Sequence, residues 1–255
     1  MIKILITLLL AVSISVVQAS TVIQSHALYQ YGTSEYLEQQ DIDQPHSIAS
    51  ITKLFTAITV LESHQDLNEL IDINCENRGH VQRGMTMTRS DLLTAMIVSS
   101  DNCAAETLAN SYVGGVDQFK GARSRIIDQL GLKNTHLIDA TGLSMFNVST
   151  VEDLVAFAPV AYSNEVLRSI ANLRQATLTA YKKKRKITIT VHNTNPAVYT
   201  HPEVVVSKTG FTNAAGRCVL MLVQHVQDFY AVVVLGEPNV KSRTKRVEKL
   251  LATNF

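Results

Sequence analysis

The sequence lacks the signatures of several common enzyme classes. It has no His-Glu-x-x-His or His-x-His pattern, and its eight histidines are scattered, so a zinc peptidase has little support. It also has no Gly-x-Ser-x-Gly elbow, which argues against an α/β-hydrolase, and no glycine-rich phosphate loop. The formal net charge of only +1 gives no bulk field for nucleic acid. We therefore expect no metal, no cofactor and no nucleic-acid partner.

Cysteine is scarce as well. The chain has three cysteines, Cys75, Cys103 and Cys218, and no Cys-x-x-Cys pair, so at least one stays unpaired within the chain. Three small buried side chains are favoured over one disulfide with a free thiol. A chain of 255 residues can bury a core without disulfide support, and no repeat or Pro/Gly/Ser-rich linker divides it.

The amino terminus predicts export. Lys3 precedes an apolar run at 4–17, and Val17-Gln18-Ala19 offers small residues at the two positions that a signal peptidase reads. The run is shorter than the roughly 20 residues that a membrane span needs. We expect a signal peptide at 1–19 and one mature domain at 20–255, in an oxidising compartment outside the cytoplasm.

Hydrophobic periodicity predicts strands at both ends of the mature chain, with helices between them. A capping box of Ser149 and Glu152 predicts the start of one helix. Strands are predicted at 22–31, near 36, and at 175–181, 187–192, 203–208, 217–224 and 229–235. Helices are predicted at 51–61, 92–97, 103–112, 116–130, after 152 and at 240–251. This order predicts an α/β fold, an antiparallel sheet flanked by helices, with a helical lobe inserted at roughly 70–165.

One segment has a strongly biased composition. Five consecutive cations occupy residues 182–186, between two predicted strands. A solvated hairpin turn is the favoured interpretation, and a weak contact with polyanionic wall polymer is the alternative.

Ser50-Ile51-Thr52-Lys53 is the first motif that can carry chemistry. A serine and a lysine three apart on a helix lie on one face. The lysine could take the serine proton if burial or a nearby cation lowered its pKa. Ser242-Arg243-Thr244-Lys245 is a second match, on the basic terminal helix, and we interpret it as surface decoration.

Two further motifs follow in order. Ser100-Asp101-Asn102 lies between two predicted helices, and Lys208-Thr209-Gly210 ends a predicted strand. The ordered trio Ser-x-x-Lys, Ser-Asp-Asn and Lys-Thr-Gly is the signature of class A β-lactamases and penicillin-binding proteins. Structural alternatives stay open for each motif. Ser50 and Asn102 could be helix caps, and Lys208 could be an exposed strand end.

The sequence resembles the low-molecular-mass penicillin-binding proteins, the D-alanyl-D-alanine carboxypeptidase and endopeptidase family. Residues 46–54 resemble its nucleophile helix, 140–154 resemble its segment between the second and third motifs, and 193–195 with 207–216 are most similar to its endopeptidase branch. The resemblance implies a β-lactamase/transpeptidase-like fold and a periplasmic enzyme. Its partners would be peptidoglycan stem peptides, with β-lactams as covalent inhibitors.

The resemblance also implies catalytic roles. Ser50 would attack the D-alanine carbonyl, and Lys53 would be its base. Ser100 would relay the proton to the leaving amine, and Asn102 would hold Lys53 and the substrate amide.

Substrate binding would involve the third motif. Lys208 and Thr209 would bind the substrate carboxylate. Beside Gly210, the backbone N–H of Phe211 would form an oxyanion hole with that of Ser50.

The sequence departs from related groups in two respects. The only Glu-x-x-x-Asn match, Glu106 to Asn110, is too near Asn102 to be the deacylating glutamate of a class A β-lactamase, so we expect slow penicillin turnover. The chain ends about where the catalytic domain should, and its terminal helix has a thin apolar stripe, so we expect a packing helix and no stable membrane anchor. A D,D-endopeptidase is the leading hypothesis. A D,D-carboxypeptidase and a non-catalytic wall- or β-lactam-binding protein are the alternatives.

Overall fold

The computed structural model describes residues 23–76 and 79–252. The predicted signal peptide at 1–19 lies outside these ranges. The strands are β1 (Ser25–Gln30), β2 (Glu35–Gln40), β3 (His46–Ser47), β4 (Leu70–Asp72), β5 (Met85–Thr88), β6 (Val148–Ser149), β7 (Gln175–Lys182), β8 (Arg185–His192), β9 (Val204–Thr212), β10 (Gly216–His225) and β11 (Asp228–Glu237). The helices are α1 (Thr52–Leu61), α2 (Arg89–Val98), α3 (Asn102–Asn110), α4 (Gly115–Gln129), α5 (Val151–Ser163), α6 (Glu165–Ala171), α7 (Ala197–Thr200) and α8 (Val240–Ala252), with a 3-10 turn at Ala49–Ile51.

The central sheet joins the two ends of the chain. Its five strands are antiparallel in the order β2-β1-β11-β10-β9. Leu28 of β1 lies opposite Val232 of β11, which is opposite Met221 of β10 on its other side. The predicted α/β class, with an antiparallel sheet built from strands at both chain ends, is confirmed.

Both faces of this sheet are covered, which explains why β10 and β11 are apolar almost throughout. Val232 and Val234 face α8 and form one core with its buried apolar side chains, Val247, Leu250 and Leu251. Alternate residues such as Val233 face the other way, into the main core shared with α1 and α5. The thin apolar stripe of α8 is therefore a packing face, as predicted.

A second antiparallel sheet, in the order β4-β5-β7-β8, stands beside the helices. Helix α2 packs against β7 and α3, and α1 contacts α2, α3 and α4. The predicted hairpin across residues 182–186 joins β7 to β8, with Lys182 paired to Arg185. Strands β3 to β6 and helices α6 and α7 were not predicted, because segments of two to seven residues carry too little periodicity.

The predicted capping box at the start of α5 is wrong by one residue. The N-cap is Thr150, whose hydroxyl accepts the backbone N–H of Asp153 at 3.1 Å. Ser149 instead belongs to β6, and its hydroxyl is hydrogen-bonded to Thr135 at 2.8 Å. Thr150 has the extended backbone that an N-cap requires, so the pairing of β6 decides which hydroxyl caps the helix.

The favoured expectation of three unpaired cysteines is also wrong. Cys75, which follows β4, forms a disulfide with Cys103 in the first turn of α3, and their Cα atoms are 5.3 Å apart. Tertiary folding brings together two residues that are 28 apart in sequence, which spacing alone does not reveal. Cys218 is free and buried, and burial raises the pKa of its thiol to about 12.

Across residues 23–76 and 79–252, no helix combines the length and apolar character needed to cross a membrane.

Candidate active site

Ser50 sits in the 3-10 turn that leads into α1, where three chain segments meet. A Cβ on Gly210 of the edge strand β9 would lie 2.9 Å from the Ser50 amide nitrogen. A Cβ on Gly142, whose φ is +85°, would lie 2.8 Å from the same nitrogen. Only glycine allows so close an approach at both positions. These two glycines therefore hold the backbone amide of Ser50 between β9 and the 139–144 loop.

Lys53 is buried one helical turn after Ser50, and its amine faces three hydrogen-bond partners. Its Nζ lies 2.8 Å from Ser50 Oγ, 2.7 Å from Asn102 Oδ1 and 2.6 Å from the Thr141 carbonyl oxygen. A neutral amine has two N–H bonds, which would serve Asn102 and Thr141, and one lone pair, which would face the Ser50 hydroxyl. The geometry therefore suits proton abstraction from Ser50.

Burial lowers the pKa of Lys53 to about 7, against the opposing pull of the Asp139 and Asp101 carboxylates. The whole of α1 is buried, so the amine is withdrawn from water. A lysine with this pKa is partly neutral near neutral pH, which is what a lysine base requires. The helix-cap alternative for Ser50 is wrong, because α1 begins without any side-chain cap hydrogen bond.

Each residue of the Ser100-Asp101-Asn102 motif has a different structural role. Asp101 is the N-cap of α3, accepting the Ala104 N–H at 2.9 Å, and its other oxygen accepts the Val81 N–H at 3.0 Å. Capping by Asp101 leaves the Asn102 side chain for Lys53, so the cap alternative for Asn102 is wrong. Ser100 adopts a left-handed backbone, with φ of 60°, in the link between α2 and α3. A left-handed backbone is uncommon for serine, and such uncommon conformations cluster at functional sites.

Lys208 of β9 is buried behind Ser100. Its Nζ donates to Ser100 Oγ at 2.8 Å and to the Thr209 carbonyl at 2.9 Å. Burial, with the positive charges of Lys53 and Arg243, holds the pKa of Lys208 well below its usual value. The alternative of an exposed strand end is therefore wrong for Lys208.

Asp139 organises the 139–144 loop that faces Lys53. One carboxylate oxygen accepts the N–H and hydroxyl of Thr141 at 2.6 and 2.7 Å and the Gly142 N–H at 2.7 Å, and the other accepts the Ser144 N–H at 2.8 Å. Burial alone would raise the pKa of Asp139, but these hydrogen bonds hold it below its usual value. These hydrogen bonds fix the loop in the conformation that points the Thr141 carbonyl at Lys53.

Across the cleft lies a second group of cations and hydroxyls. The Thr209 and Thr194 hydroxyls are 2.7 Å apart. The guanidinium of Arg217 stacks 3.5 Å from the ring centre of exposed Phe211, and Arg217 Nε has no hydrogen-bond partner in the described part of the chain. We call Phe211, Arg217 and Arg243 the arginine end of the cleft, and Ser50, Lys53 and Asn102 the lysine end.

Both ends open into one cleft of about 310 Å³. Its lining residues are Ser50, Ser100, Asn102, Leu143, Thr194, Thr209, Gly210, Phe211, Arg217, Val240 and Arg243. A larger cavity of about 620 Å³ lies beyond Thr141 and Leu143, between α3 and α4. Glu106 lines that cavity and not the cleft, so the Glu-x-x-x-Asn match does not reach Ser50. Within the described ranges, no group of three or more His, Cys, Asp or Glu side chains could hold a metal ion.

All eight residues singled out in the sequence lie in or directly behind this cleft, but four contributors were missed. Asp139 lies just before the resembling segment 140–154. Thr141 was included only as part of a resembling segment, since a backbone carbonyl leaves no motif. Arg217 carried no signal. Arg243 lies inside the dismissed second Ser-x-x-Lys match. The Ser242 hydroxyl in that match donates to the Asn239 carbonyl oxygen, which is a local surface contact, as predicted. Arg243, by contrast, is 5% exposed and lines the cleft.

Sequence comparisons place the chain among known peptidases. A family model described as D-alanyl-D-alanine carboxypeptidase matches residues 13–239. The D-alanyl-D-alanine endopeptidases of Pseudomonas aeruginosa and Escherichia coli are 36% and 34% identical over 74% and 73% of this chain. The alignments cover 63% and 61% of those two proteins, so the chain spans less than two thirds of their length. The carboxypeptidase DacF of Bacillus subtilis is 23% identical over 91% of this chain and 62% of its own length.

Solved structures show the same fold. A mutant of the Streptomyces K15 DD-transpeptidase has a TM-score of 0.82 and 25% identity, covering 92% of this chain and 98% of its own. Ampicillin-bound penicillin-binding protein D2 from Listeria monocytogenes has a TM-score of 0.78 and 26% identity, covering 89% of this chain and 95% of its own. The predicted transpeptidase-like fold is confirmed.

Proposed function

This chain belongs to the D-alanyl-D-alanine carboxypeptidase family of serine peptidases, and we propose that it is a D,D-endopeptidase that hydrolyses D-alanyl cross-links in peptidoglycan. The observation that carries the proposal is the buried Lys53 amine, 2.8 Å from Ser50 Oγ and with a pKa of about 7. The endopeptidase assignment is favoured over carboxypeptidase because relatives named endopeptidase are 30–36% identical, against 23–28% for relatives named carboxypeptidase.

Acylation begins at the lysine end of the cleft. Neutral Lys53 takes the proton of the Ser50 hydroxyl as Ser50 Oγ bonds to the D-alanine carbonyl carbon. The carbonyl oxygen becomes an oxyanion, which the backbone N–H groups of Ser50 and Phe211 stabilise. The close approach of Gly210 to the Ser50 amide supports this role, because it puts the edge of β9 beside that amide.

The leaving amine receives its proton from Ser100. Lys208 donates to the Ser100 hydroxyl and would stabilise it as it gives up its proton. The proton held by Lys53 then restores Ser100, and the scissile C–N bond breaks to leave an ester on Ser50. A water molecule hydrolyses this ester, returning the Ser50 hydroxyl and releasing the new carboxylate.

Recognition of the substrate carboxylate falls to the arginine end together with Thr209. The side chains of Arg217 and Arg243 both line the cleft there. Lys208, to which the sequence assigned this carboxylate, lies behind Ser100, and its charge would act at longer range. Charge-assisted hydrogen bonds from Thr209 and Arg217 would fix the position of the scissile bond.

β-Lactams would acylate Ser50 by the same route. The related Listeria protein has been solved in ampicillin- and cefotaxime-bound forms. Since Glu106 lies outside the cleft, deacylation should be slow and the enzyme inhibited. The predicted signal peptide at 1–19 and single domain at 20–255, with a lobe at roughly 70–165, complete the proposal of a periplasmic enzyme.

The decisive experiment offers the mature protein purified cross-linked dimers and pentapeptide monomers, with the Ser50→Ala variant as control. Mass spectrometry should show dimers becoming monomers only when Ser50 is present. Loss of only the terminal D-alanine would establish the carboxypeptidase alternative instead. If neither substrate changes, the proposed hydrolysis is wrong.

A further inference from the structure

Positive charge is concentrated at one point of the molecule that the proposed reaction does not use. The basic tip, residues 182–186, closes the β7–β8 hairpin, and all five of its side chains are exposed. None of the ion pairs in the described ranges includes any of them. Without these five cations, the formal net charge of +1 would become −4. The basic tip is therefore a local cationic site on an otherwise acidic chain.

The backbone of the basic tip disfavours the residues it carries. Lys183 and Lys184 have φ of 50° and 62°, the left-handed region that asparagine and glycine usually occupy in two-residue hairpin turns. Lys182 and Arg185 are paired directly across the hairpin, where like charges are destabilising. Local stability would favour other residues at all these positions. The charges are best explained by a role outside folding.

Protection of a sheet edge explains only part of the cluster. β8 is an edge strand, and a lysine on such a strand discourages pairing with another chain. One cation, such as Lys186 on β8, would be enough for that purpose. Lys183 and Lys184 lie in the turn, beyond the exposed edge of β8.

The basic tip is linked to the cleft by strand β8. β8 runs from Arg185 to His192, a span of about 25 Å at about 3.4 Å per residue. Two residues later, Thr194 lines the cleft and bonds Thr209. A ligand that touches both places must therefore be an extended polymer.

We propose that the basic tip is an electrostatic docking site for the carboxylate-bearing peptidoglycan polymer, which it holds while another stem of that polymer enters the cleft. The identity of the polymer rests on the proposed function. A membrane surface fits less well, because residues 182–186 include no apolar side chain that could insert among lipids.

The test measures binding without catalysis. Ser50→Ala protein is sedimented with purified insoluble peptidoglycan at low salt, alone and with the changes K182Q, K183N, K184G, R185Q and K186Q. Asn-Gly suits the turn, so this variant should fold. One control keeps the charge, with R185K and arginine at the four lysines. A second removes exposed charge elsewhere, with K241Q and K245Q.

We expect roughly tenfold weaker sedimentation for the neutralised tip, near-normal sedimentation for both controls, and binding that weakens with salt. In otherwise unchanged enzyme, the ratio of insoluble peptidoglycan hydrolysis to soluble dimer hydrolysis should fall with the same variant. Equal sedimentation of the neutralised-tip variant and its Ser50→Ala parent would overturn the proposal. So would a parent protein that binds phosphatidylglycerol vesicles but not peptidoglycan. Tip-dependent sedimentation by an enzyme that cleaves no dimer would support docking while refuting the proposed endopeptidase.

Discussion

Lys53 and Arg217 are both cations at one cleft, but their surroundings differ. Lys53 is buried, with three partners at 2.6–2.8 Å, whereas Arg217 Nε has no partner in the described ranges and its guanidinium rests on exposed Phe211. The lysine end therefore has a prearranged set of internal contacts, as proton transfer requires. The arginine end places the side chains of Arg217 and Arg243 along the wall of the cleft, where an anionic ligand would meet them. A single cleft can thus combine a reactive base with a receptive anion site.

The largest expected effect comes from breaking the lysine end. Lys53→Met keeps an unbranched apolar stem but removes the base, so acylation should fall by about a hundred- to ten-thousandfold. The rate of labelling by a fluorescent penicillin, with circular dichroism to check the fold, measures it. Labelling at near-normal rate would show that Lys53 only supports the structure.

The next effect concerns the disulfide that stabilises the helix carrying Asn102, at the lysine end of the cleft. The Cys75–Cys103 disulfide anchors α3 one residue after Asn102, and it closes a loop with a sequence separation of 28. Replacing both cysteines by alanine should lower the free energy of unfolding by about 3 kcal/mol. Urea unfolding measures the change, with Cys218→Ala as the unpaired control. Identical midpoints for the double variant and the parent would contradict a stabilising role.

Breaking the arginine end should be milder. Arg217→Gln removes one charge-assisted contact, so KM for a carboxylate-bearing peptide should rise by about ten- to a hundredfold. A substrate whose carboxylate is replaced by an amide should lose little, and this serves as the matched control. Equal losses for both substrates would mean that Arg217 acts through packing on Phe211.

The smallest expected effect is the response to pH, which should change acylation at the lysine end but not carboxylate binding at the arginine end. The pKa of Lys53 is lowered to about 7, so its lone pair is available above that pH and occupied by a proton below it. Acylation should therefore rise about tenfold from about pH 6 to well above neutral. Arginine stays charged over this interval, so the affinity for the carboxylate should change little. A flat pH profile of acylation would argue against a lysine base.

The ordered motifs made much of the lysine end predictable. Ser50 and Lys53 lie three apart on one helix, so local geometry already places them together. The strand pattern likewise predicted both ends of the central sheet. Short elements, the Thr150 cap and the disulfide were missed, because pairing between distant segments decides them.

The sequence by itself determined the fold class, the reactive motifs and the basic tip, since these depend on periodicity and local order. Only the tertiary structure decided that Thr141 offers its carbonyl to Lys53, that Lys208 lies behind Ser100, and that Arg243 reaches the cleft. Each of these contacts joins segments far apart in the chain. Each contact depends on which side chains are buried and on the path of the backbone. The identity of a side chain alone determines neither.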